Sequence, residues 1–330
     1  MIKKTLFTTA IMCLFIFLPL QAQEFAPVGT AVAQFLEVGM GARGTGMGDA
    51  YTVLTDDAGS VFWNPAGIRG VRNMNFFLGY NRWPADISFG AMSFVISLGN
   101  SQSLAVSGVF INTDDMLVTT VDDPEGTSGM QFGITNYSIG LTYARNLTNR
   151  LAVGLTTKLV REQYLNYGYT TWAVDVGTMY QTDFRGMKLG MSILHFGPEV
   201  RFSGGYTDYS DPDFSQDETK KFEGYSMPIN FRVGISIDVW ENASHKIISA
   251  ADLVHPNNNL EQYNFGLEYG FKQMLFVRGG YRLQLDEGGL TLGAGARFPL
   301  FGDHLSALDY SFSEVGVLPS VHRLSVSFSF

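Results

Sequence analysis

Most of the chain after residue 73 alternates between apolar and polar side chains with a period of two. In the last segment, residues 321–330, four apolar residues share one face: Leu324, Val326, Phe328 and Phe330. Because strand side chains point alternately to opposite faces, this pattern predicts strands with one apolar and one polar face. The polar face carries Gly, Ser, Thr and isolated charges, and apolar faces often end in aromatic residues. Both features favour a transmembrane β-barrel over a soluble β-protein.

Fourteen segments show this alternation, an even number, as a single-chain bacterial barrel requires. The predicted strands cover residues 74–80, 86–99, 102–113, 136–147, 150–164, 170–181, 188–197, 227–240, 245–256, 261–273, 275–285, 289–301, 304–316 and 321–330. The two long connections, residues 114–135 and 198–226, then fall at the same end of the barrel. Phe330 and Phe328 lie on the same apolar face, and we interpret them as the C-terminal signal that the barrel insertion machinery recognises.

Residues 1–22 read as a secretory signal peptide, with Lys3 and Lys4 before an apolar stretch and Ala22 at the predicted cleavage site. The apolar stretch of about 15 residues is short of the roughly 20 that a membrane helix needs. Charged residues make up only 16% of the chain, which suits a protein that shows apolar surface to lipid. The net charge of −9 argues against nucleic acid as a partner.

No arrangement of residues predicts an enzyme, a cofactor or a metal site. The histidines are dispersed and lack metal-ligand spacing: His195, His245, His255, His304 and His322. Both long connections are acidic, and a calcium site within residues 208–218 is an alternative to a solvated loop. The order of ligands in a calcium-binding loop is missing there, so we favour the solvated loop.

Two groups of side chains are candidates for function. Charges on the polar, lumen-facing positions can pair across strands or line a conduit, with pairing as the default: Lys158, Asp175, Arg232, Asp238, Asp252, Glu268, Arg278, Arg282, Arg297, Asp309 and Arg323. Aromatic residues in the second long connection can hold a partner or a ligand: Phe202, Tyr206, Tyr209, Phe214, Phe222 and Tyr225.

Residues 29–69 are the one long stretch after the leader that does not read as β-strand. Apolar spacing predicts a short amphipathic helix over residues 30–38. The glycines of residues 39–49 allow sharp bends and close packing; the βαβ context of a phosphate-binding loop is absent. Asp56 or Asp57 is placed to cap a helix through Phe62, and Asn64 to cap another that starts at Pro65.

This stretch resembles the N-terminal signature of the PorV/PorQ family, within the FadL-like outer-membrane barrels. The resemblance rests on AQFL, GAR, GMGDA, DDA and WNPAG, in that order. It implies a fourteen-stranded barrel, residues 74–330, with residues 23–73 folded into the lumen as a hatch. The hatch residues it points to are Arg43, Gly46, Gly48, Asp49, Asp56, Asp57, Asn64, Pro65 and Ala66.

The resemblance implies two functions. PorV-like proteins are accessories of type IX secretion that bind the sorting domains of exported cargo, and this is our first interpretation. FadL-like transporters carry hydrophobic small molecules, and this is the alternative. Either function places the barrel in lipid, in a Gram-negative outer membrane of the Bacteroidota type. The hatch and the C-terminus are expected on the periplasmic side.

Overall fold

The structure is a computed structural model that describes residues 27–54, 56–99, 101–206, 219–284, 288–301 and 304–330. The predicted signal peptide lies outside these residues. Within them, fourteen long strands close into one antiparallel barrel, which confirms the predicted fold class. Each barrel strand pairs with the next barrel strand along the chain. The first and last strands close the barrel, with Phe76 opposite Phe328.

The strand bounds agree closely with the predicted segments. The barrel strands are β1 Met74–Arg82, β2 Ser88–Gly99, β3 Gln102–Asn112, β6 Thr135–Asn146, β7 Leu151–Tyr164, β8 Tyr167–Gln181, β9 Lys188–Phe196, β12 Asn230–Glu241, β13 His245–Pro256, β14 Gln262–Phe271, β15 Leu275–Leu283, β16 Leu290–Phe301, β17 His304–Val315 and β18 Leu318–Ser329. Two short hairpins that the alternation did not predict lie in the long connections: β4 Met116–Leu117 with β5 Gln131–Phe132, and β10 Gly205–Tyr206 with β11 Lys220–Lys221.

The two ends of the barrel differ. At one end, the short-turn end, neighbouring strands are joined by brief connections such as residues 146–151 and 271–275, and the C-terminus lies beside Met74. Both long connections, residues 112–135 and 196–230, leave from the opposite, long-loop end, as their parity predicts.

The alternation places apolar side chains outside and mostly small or polar ones inside. Large exposed apolar residues lie on the outer face of strand after strand, for example Leu78, Met92, Val106, Ile139, Leu267, Val277, Leu292 and Leu324. Among the described residues, no helix is long and apolar enough to cross a membrane. A closed barrel satisfies all its strand hydrogen bonds and leaves no open edge, which is what a hydrocarbon environment demands.

Residues 27–73, the hatch segment, fold inside the barrel as short helical turns. They form three 3₁₀ helices, Gln34–Glu37, Ala58–Phe62 and Pro65–Gly70, and one α-helix, α1, Ala42–Gly46. The predicted helix over residues 30–38 is therefore reduced to four residues, and the glycine stretch contains a helix instead of bends alone. Asp57 stands at the predicted N-cap position of the Ala58–Phe62 helix, but its side chain makes no capping hydrogen bond.

The hatch segment spans the lumen from one end towards the other. Its first described residues lie at the long-loop end, where the Val32 amide donates to the Ser226 carbonyl over 3.0 Å. Its last residues lead into β1 at the short-turn end. The described part of the hatch segment therefore reaches from the long-loop rim to the short-turn end, where the C-terminus also lies.

Candidate functional site

Arg43 fastens the hatch segment to the barrel wall. Its guanidinium donates to both carboxylate oxygens of Glu268 on β14, over 3.0 and 3.1 Å, and pairs with Asp56 in the hatch segment. Arg278 on β15 donates to Glu268 and to Asp309 on β17, each over 2.6 Å. Arg43, Glu268, Arg278 and Asp309 are buried, whereas Asp56 is half-exposed, and each charge has a partner, which offsets the cost of removing these ions from water.

The adjacent carboxyl groups of the hatch segment differ in protonation. Burial raises the pKa of Asp57 to about 6, with a further contribution from repulsion by Asp56. Burial also opposes the ionisation of Asp56, but the Arg43 guanidinium lowers the pKa of Asp56 below its ordinary value. One Asp57 oxygen has no hydrogen-bond partner. Asp56 therefore carries the ion pair, and Asp57 is the first of the two to take a proton.

Asp49 is held by arginines from two strands. Arg282 on β15 donates to its carboxylate over 3.2 Å, and Arg232 on β12 donates to its main-chain oxygen over 2.5 Å. The Arg232 guanidinium also lies 5.0 Å above the Trp63 ring. Gly48 and Asp49 both have positive φ angles, 65° and 62°, so this turn needs the conformational freedom of Gly48.

Asn64 starts the last helix of the hatch segment in the predicted way. Its side-chain oxygen accepts from the Ala66 amide over 3.0 Å, and Pro65 occupies the first helical turn. Its side-chain amide donates to the main-chain oxygens of Thr52 and of Thr178 on β8, over 3.0 and 3.1 Å. The cap therefore also joins the helix to the barrel wall.

A cavity of about 850 Å³ opens at the long-loop end, between the hatch segment and the barrel wall. We call it the upper cavity. Its apolar lining comes from the hatch segment, strands β2 and β3, and the loops: Val32, Phe35, Val38, Trp83, Ile87, Phe89, Ile111, Ile134, Phe202, Phe222 and Tyr225. Its size and apolar walls are those of a site for a small hydrophobic molecule.

Aromatic residues of the second long connection roof the upper cavity. The Phe202 ring packs against Tyr164, Tyr169 and Phe222, at centroid distances of 5.9, 5.1 and 5.9 Å. Tyr206 stacks on Phe222 at 5.3 Å. Of the six aromatic candidates, three line the cavity and Tyr206 supports them; Tyr209 and Phe214 lie outside the described residues.

Polar and charged residues also line the upper cavity, among them Glu37, Asp49, Asn136, Glu162, Arg282 and Arg323. The Glu162 carboxylate is fully occupied, since it accepts from the Ala33 amide over 3.0 Å and from the Tyr169 hydroxyl over 2.5 Å. The Trp83 indole N–H has no hydrogen-bond partner in the described chain. Sequence reasoning did not single out Glu162, Trp83 or Phe89. Glu162 and Phe89 occupy lumen-facing positions in the alternation of their strands. This position alone does not distinguish them from the other inward residues.

Two smaller spaces lie deeper in the lumen. An inner cavity of about 50 Å³ lies between the hatch segment and strands β3, β6, β7, β8, β9 and β12, and its lining includes Lys158, Asp175, His195 and Arg232. It shares Glu37, Val38 and Gly39 with the upper cavity. A vestibule of about 340 Å³ lies at the short-turn end on the opposite wall, among Asp56, Lys188, Ser236 and other polar groups. Charged side chains therefore line the lumen on β7–β9 as well as on β12–β18, and its largely apolar part lies towards β1–β3.

The other predicted lumen charges are also paired. Lys158 lies 2.7 Å from Asp175 and 2.8 Å from His195, whose main-chain amide donates to Asp175 over 2.7 Å. Asp238 accepts from Lys246 over 2.8 Å.

Three more predicted charges contact neighbours nearby. Arg297 lies 4.8 Å from the centre of the Phe276 ring, and Arg323 donates to Ser313 over 2.7 Å. Asp252 accepts from the amide and hydroxyl of Thr52, over 3.0 and 2.6 Å. The charges thus mainly fasten the wall and the hatch segment.

Within the described residues, no three His, Cys, Asp or Glu side chains are grouped to hold a metal ion. The calcium alternative at residues 208–218 lies outside them.

Gly46, at the end of α1, packs against Gly293 of β16; a Cβ at Gly46 would lie 3.1 Å from the Gly293 Cα.

Solved structures of outer-membrane channels share this fold. The toluene transporter TodX of Pseudomonas putida matches with a TM-score of 0.57 at 14% identity, over 88% of this chain and 98% of that one. The toluene transporter TbuX of Ralstonia pickettii gives 0.55 at 13%, over 88% and 98%. A FadL homologue of Pseudomonas aeruginosa gives 0.56 at 12%, over 89% and 99%. No family model and no curated protein sequence matches the chain.

Proposed function

We propose that the protein is an outer-membrane channel that takes up hydrophobic small molecules through its long-loop end. The upper cavity carries this proposal: it measures about 850 Å³, and aromatic and aliphatic side chains form most of its lining. The fold shared with two toluene transporters supports it. The residues predicted as a hatch occupy the lumen below the cavity, where they would control passage. The interpretation as an accessory of type IX secretion has no such support.

The test is uptake of radiolabelled toluene by intact Gram-negative cells that express the full chain. We expect faster initial uptake than in cells that express an unrelated closed barrel. Phe202→Ser should slow uptake because it makes the roof of the cavity polar. Phe184→Ser is the matched control, since Phe184 is 59% exposed in the turn between β8 and β9 at the short-turn end. Uptake equal to that of the unrelated barrel would reject the proposal.

A further inference from the structure

The hatch segment is hydrogen-bonded to twelve of the fourteen barrel strands, counted over the described residues. The two exceptions, β3 and β6, are neighbours in the barrel. For example, the Ser93 hydroxyl on β2 donates to the Ala58 main-chain oxygen. The Glu162 carboxylate on β7 accepts from the Ala33 amide, and the Ser325 hydroxyl on β18 accepts from the Ala42 amide. The remaining bonds come from β1, β8, β9, β12, β13, β14, β15, β16 and β17.

The hatch segment nevertheless packs closely against β3 and β6, through the Ala58–Phe62 and Pro65–Gly70 helices. The contact is apolar: Val61 and Ile68 belong to the same cluster of buried residues as Val109 and Ala105 of β3 and Ala144 of β6. The inward residues of β3 descend from the upper cavity to the short-turn end in the order Ile111, Val109, Ser107, Ala105 and Ser103. We call this contact the dry seam.

The side chains along the middle of the dry seam are small. Ser107, Gly108 and Gly140 line the inner cavity, which is separated from the upper cavity by hatch residues that the two share. Opening the seam breaks no hydrogen bond or ion pair between the hatch segment and β3 or β6. On the opposite side, the same displacement would separate Arg43 from Glu268, and breaking a buried ion pair is costly.

We infer that hydrophobic molecules leave the upper cavity along the dry seam, between the hatch segment and strands β3 and β6. The vestibule on the opposite wall is not their route, because the hatch segment is held to that wall by hydrogen bonds and by the Arg43–Glu268 ion pair, which would have to break. This inference rests on the proposed function and adds the path, the moving surface and the residues that set its width.

Ser107→Phe tests the path, because a large ring at this position fills the inner cavity. We expect toluene uptake to fall roughly tenfold, equivalent to about 1.4 kcal/mol of added barrier. Ser236→Phe is the matched control: Ser236 is equally an inward, buried serine, but it lines the vestibule. Its uptake should stay near that of the wild type. A heat-dependent shift in gel mobility would show that both variants are folded barrels.

Val61→Ala should change toluene uptake in the opposite direction, because a smaller side chain on the hatch segment widens the seam. We expect severalfold faster uptake, a gain that misfolding cannot produce. Slower uptake in Ser236→Phe than in Ser107→Phe, or equal loss in both folded variants, would overturn the inference. So would unchanged uptake in both Ser107→Phe and Val61→Ala. A wild-type chain that carries no toluene would instead reject the proposed function itself.

Discussion

At the scale of single residues, Arg43 is the side chain on which the hatch segment depends most. Arg43→Ala would leave the buried Glu268 with Arg278 as its partner and would remove the Arg43 partner of the half-exposed Asp56. Removing one partner of a buried ion pair costs about 3–5 kcal/mol when the other charge is left uncompensated. Because Glu268 stays paired, we expect a loss at or below the lower end of this range in the free energy of unfolding, measured by urea titration of the barrel in lipid vesicles.

Arg82→Ala is the control for Arg43→Ala. Arg82 and Asp86 form an ion pair whose side chains are 71% and 67% exposed. Exposed pairs contribute only about 0–1 kcal/mol, so this variant should unfold almost like the wild type. Equal effects of the two substitutions would show that the Arg43 network does not stabilise the hatch segment.

The raised pKa of Asp57 predicts an unusual dependence of folding stability on pH. Its pKa in the folded chain, about 6, lies above the ordinary value of an aspartate. A group with a raised folded pKa adds stability at low pH and loses it as the pH rises through the folded pKa. Asp57 therefore favours folding at pH 4 relative to pH 7, and Asp57→Asn should abolish this contribution.

The neighbouring carboxyl group gives the opposite dependence. The pKa of Asp56 is lowered, so its contribution is present at neutral pH and is lost as the pH falls. Thermal unfolding should therefore be followed from about pH 2 to pH 7. Asp57→Asn should alter the pH dependence of stability between pH 4 and pH 7, and Asp56→Asn should alter it, with the opposite sign, below the ordinary aspartate pKa of 3.8. Parallel shifts would contradict this assignment of the two carboxyl groups.

At the scale of elements, β15 shows how closely the hatch segment and the wall approach each other. A Cβ on Gly280 would lie 2.1 Å from the Gly48 nitrogen, whereas one on Gly279, facing outward, would meet nothing closer than 4.0 Å. Gly280→Ala must push the Gly48 turn away, and overpacking of this kind costs about 1–3 kcal/mol. We expect faster proteolysis of the hatch segment in Gly280→Ala and an unchanged rate in Gly279→Ala. Equal rates would mean that this turn is not seated against β15.

The elements also show what the sequence can predict. Strands were predictable because a period of two follows directly from strand geometry, and a shift by one residue would turn every apolar face inward. The Asn64 cap was predictable because it is local. The Asp57 cap did not form: one carboxylate oxygen lies 4.0 Å from Arg43 and 3.5 Å from the Tyr51 hydroxyl, contacts that only the fold creates, and the other oxygen has no hydrogen-bond partner. The short helices of the hatch segment are fixed by bonds to distant strands, which no local pattern contains.

At the scale of the whole molecule, the barrel is divided lengthwise. The charges on β12–β18 were recognised from the sequence, and their pairing followed the default expectation, but their partners in the hatch segment required the fold. The upper cavity joins residues from the hatch segment, the strands and both long connections. Their sequence positions, for example Phe35, Phe89 and Phe222, carry no common signal, so the cavity could not be predicted.

The division of the lumen leads to a last prediction, for a chain that lacks residues 27–73 but keeps residues 1–26. Barrels of about eight strands fill their interior with side chains, whereas those of 16–18 strands leave an aqueous channel. Fourteen strands without the hatch segment should therefore enclose water. The wall charges that pair with one another, such as Arg278 with Asp309, can still close the barrel. We expect steady ion conductance in planar bilayers from the shortened chain and little from the full chain. Gly279→Ala, with the hatch segment intact, should remain as closed as the wild type. Equal conductance of the shortened and full chains would show that the hatch segment does not seal the lumen.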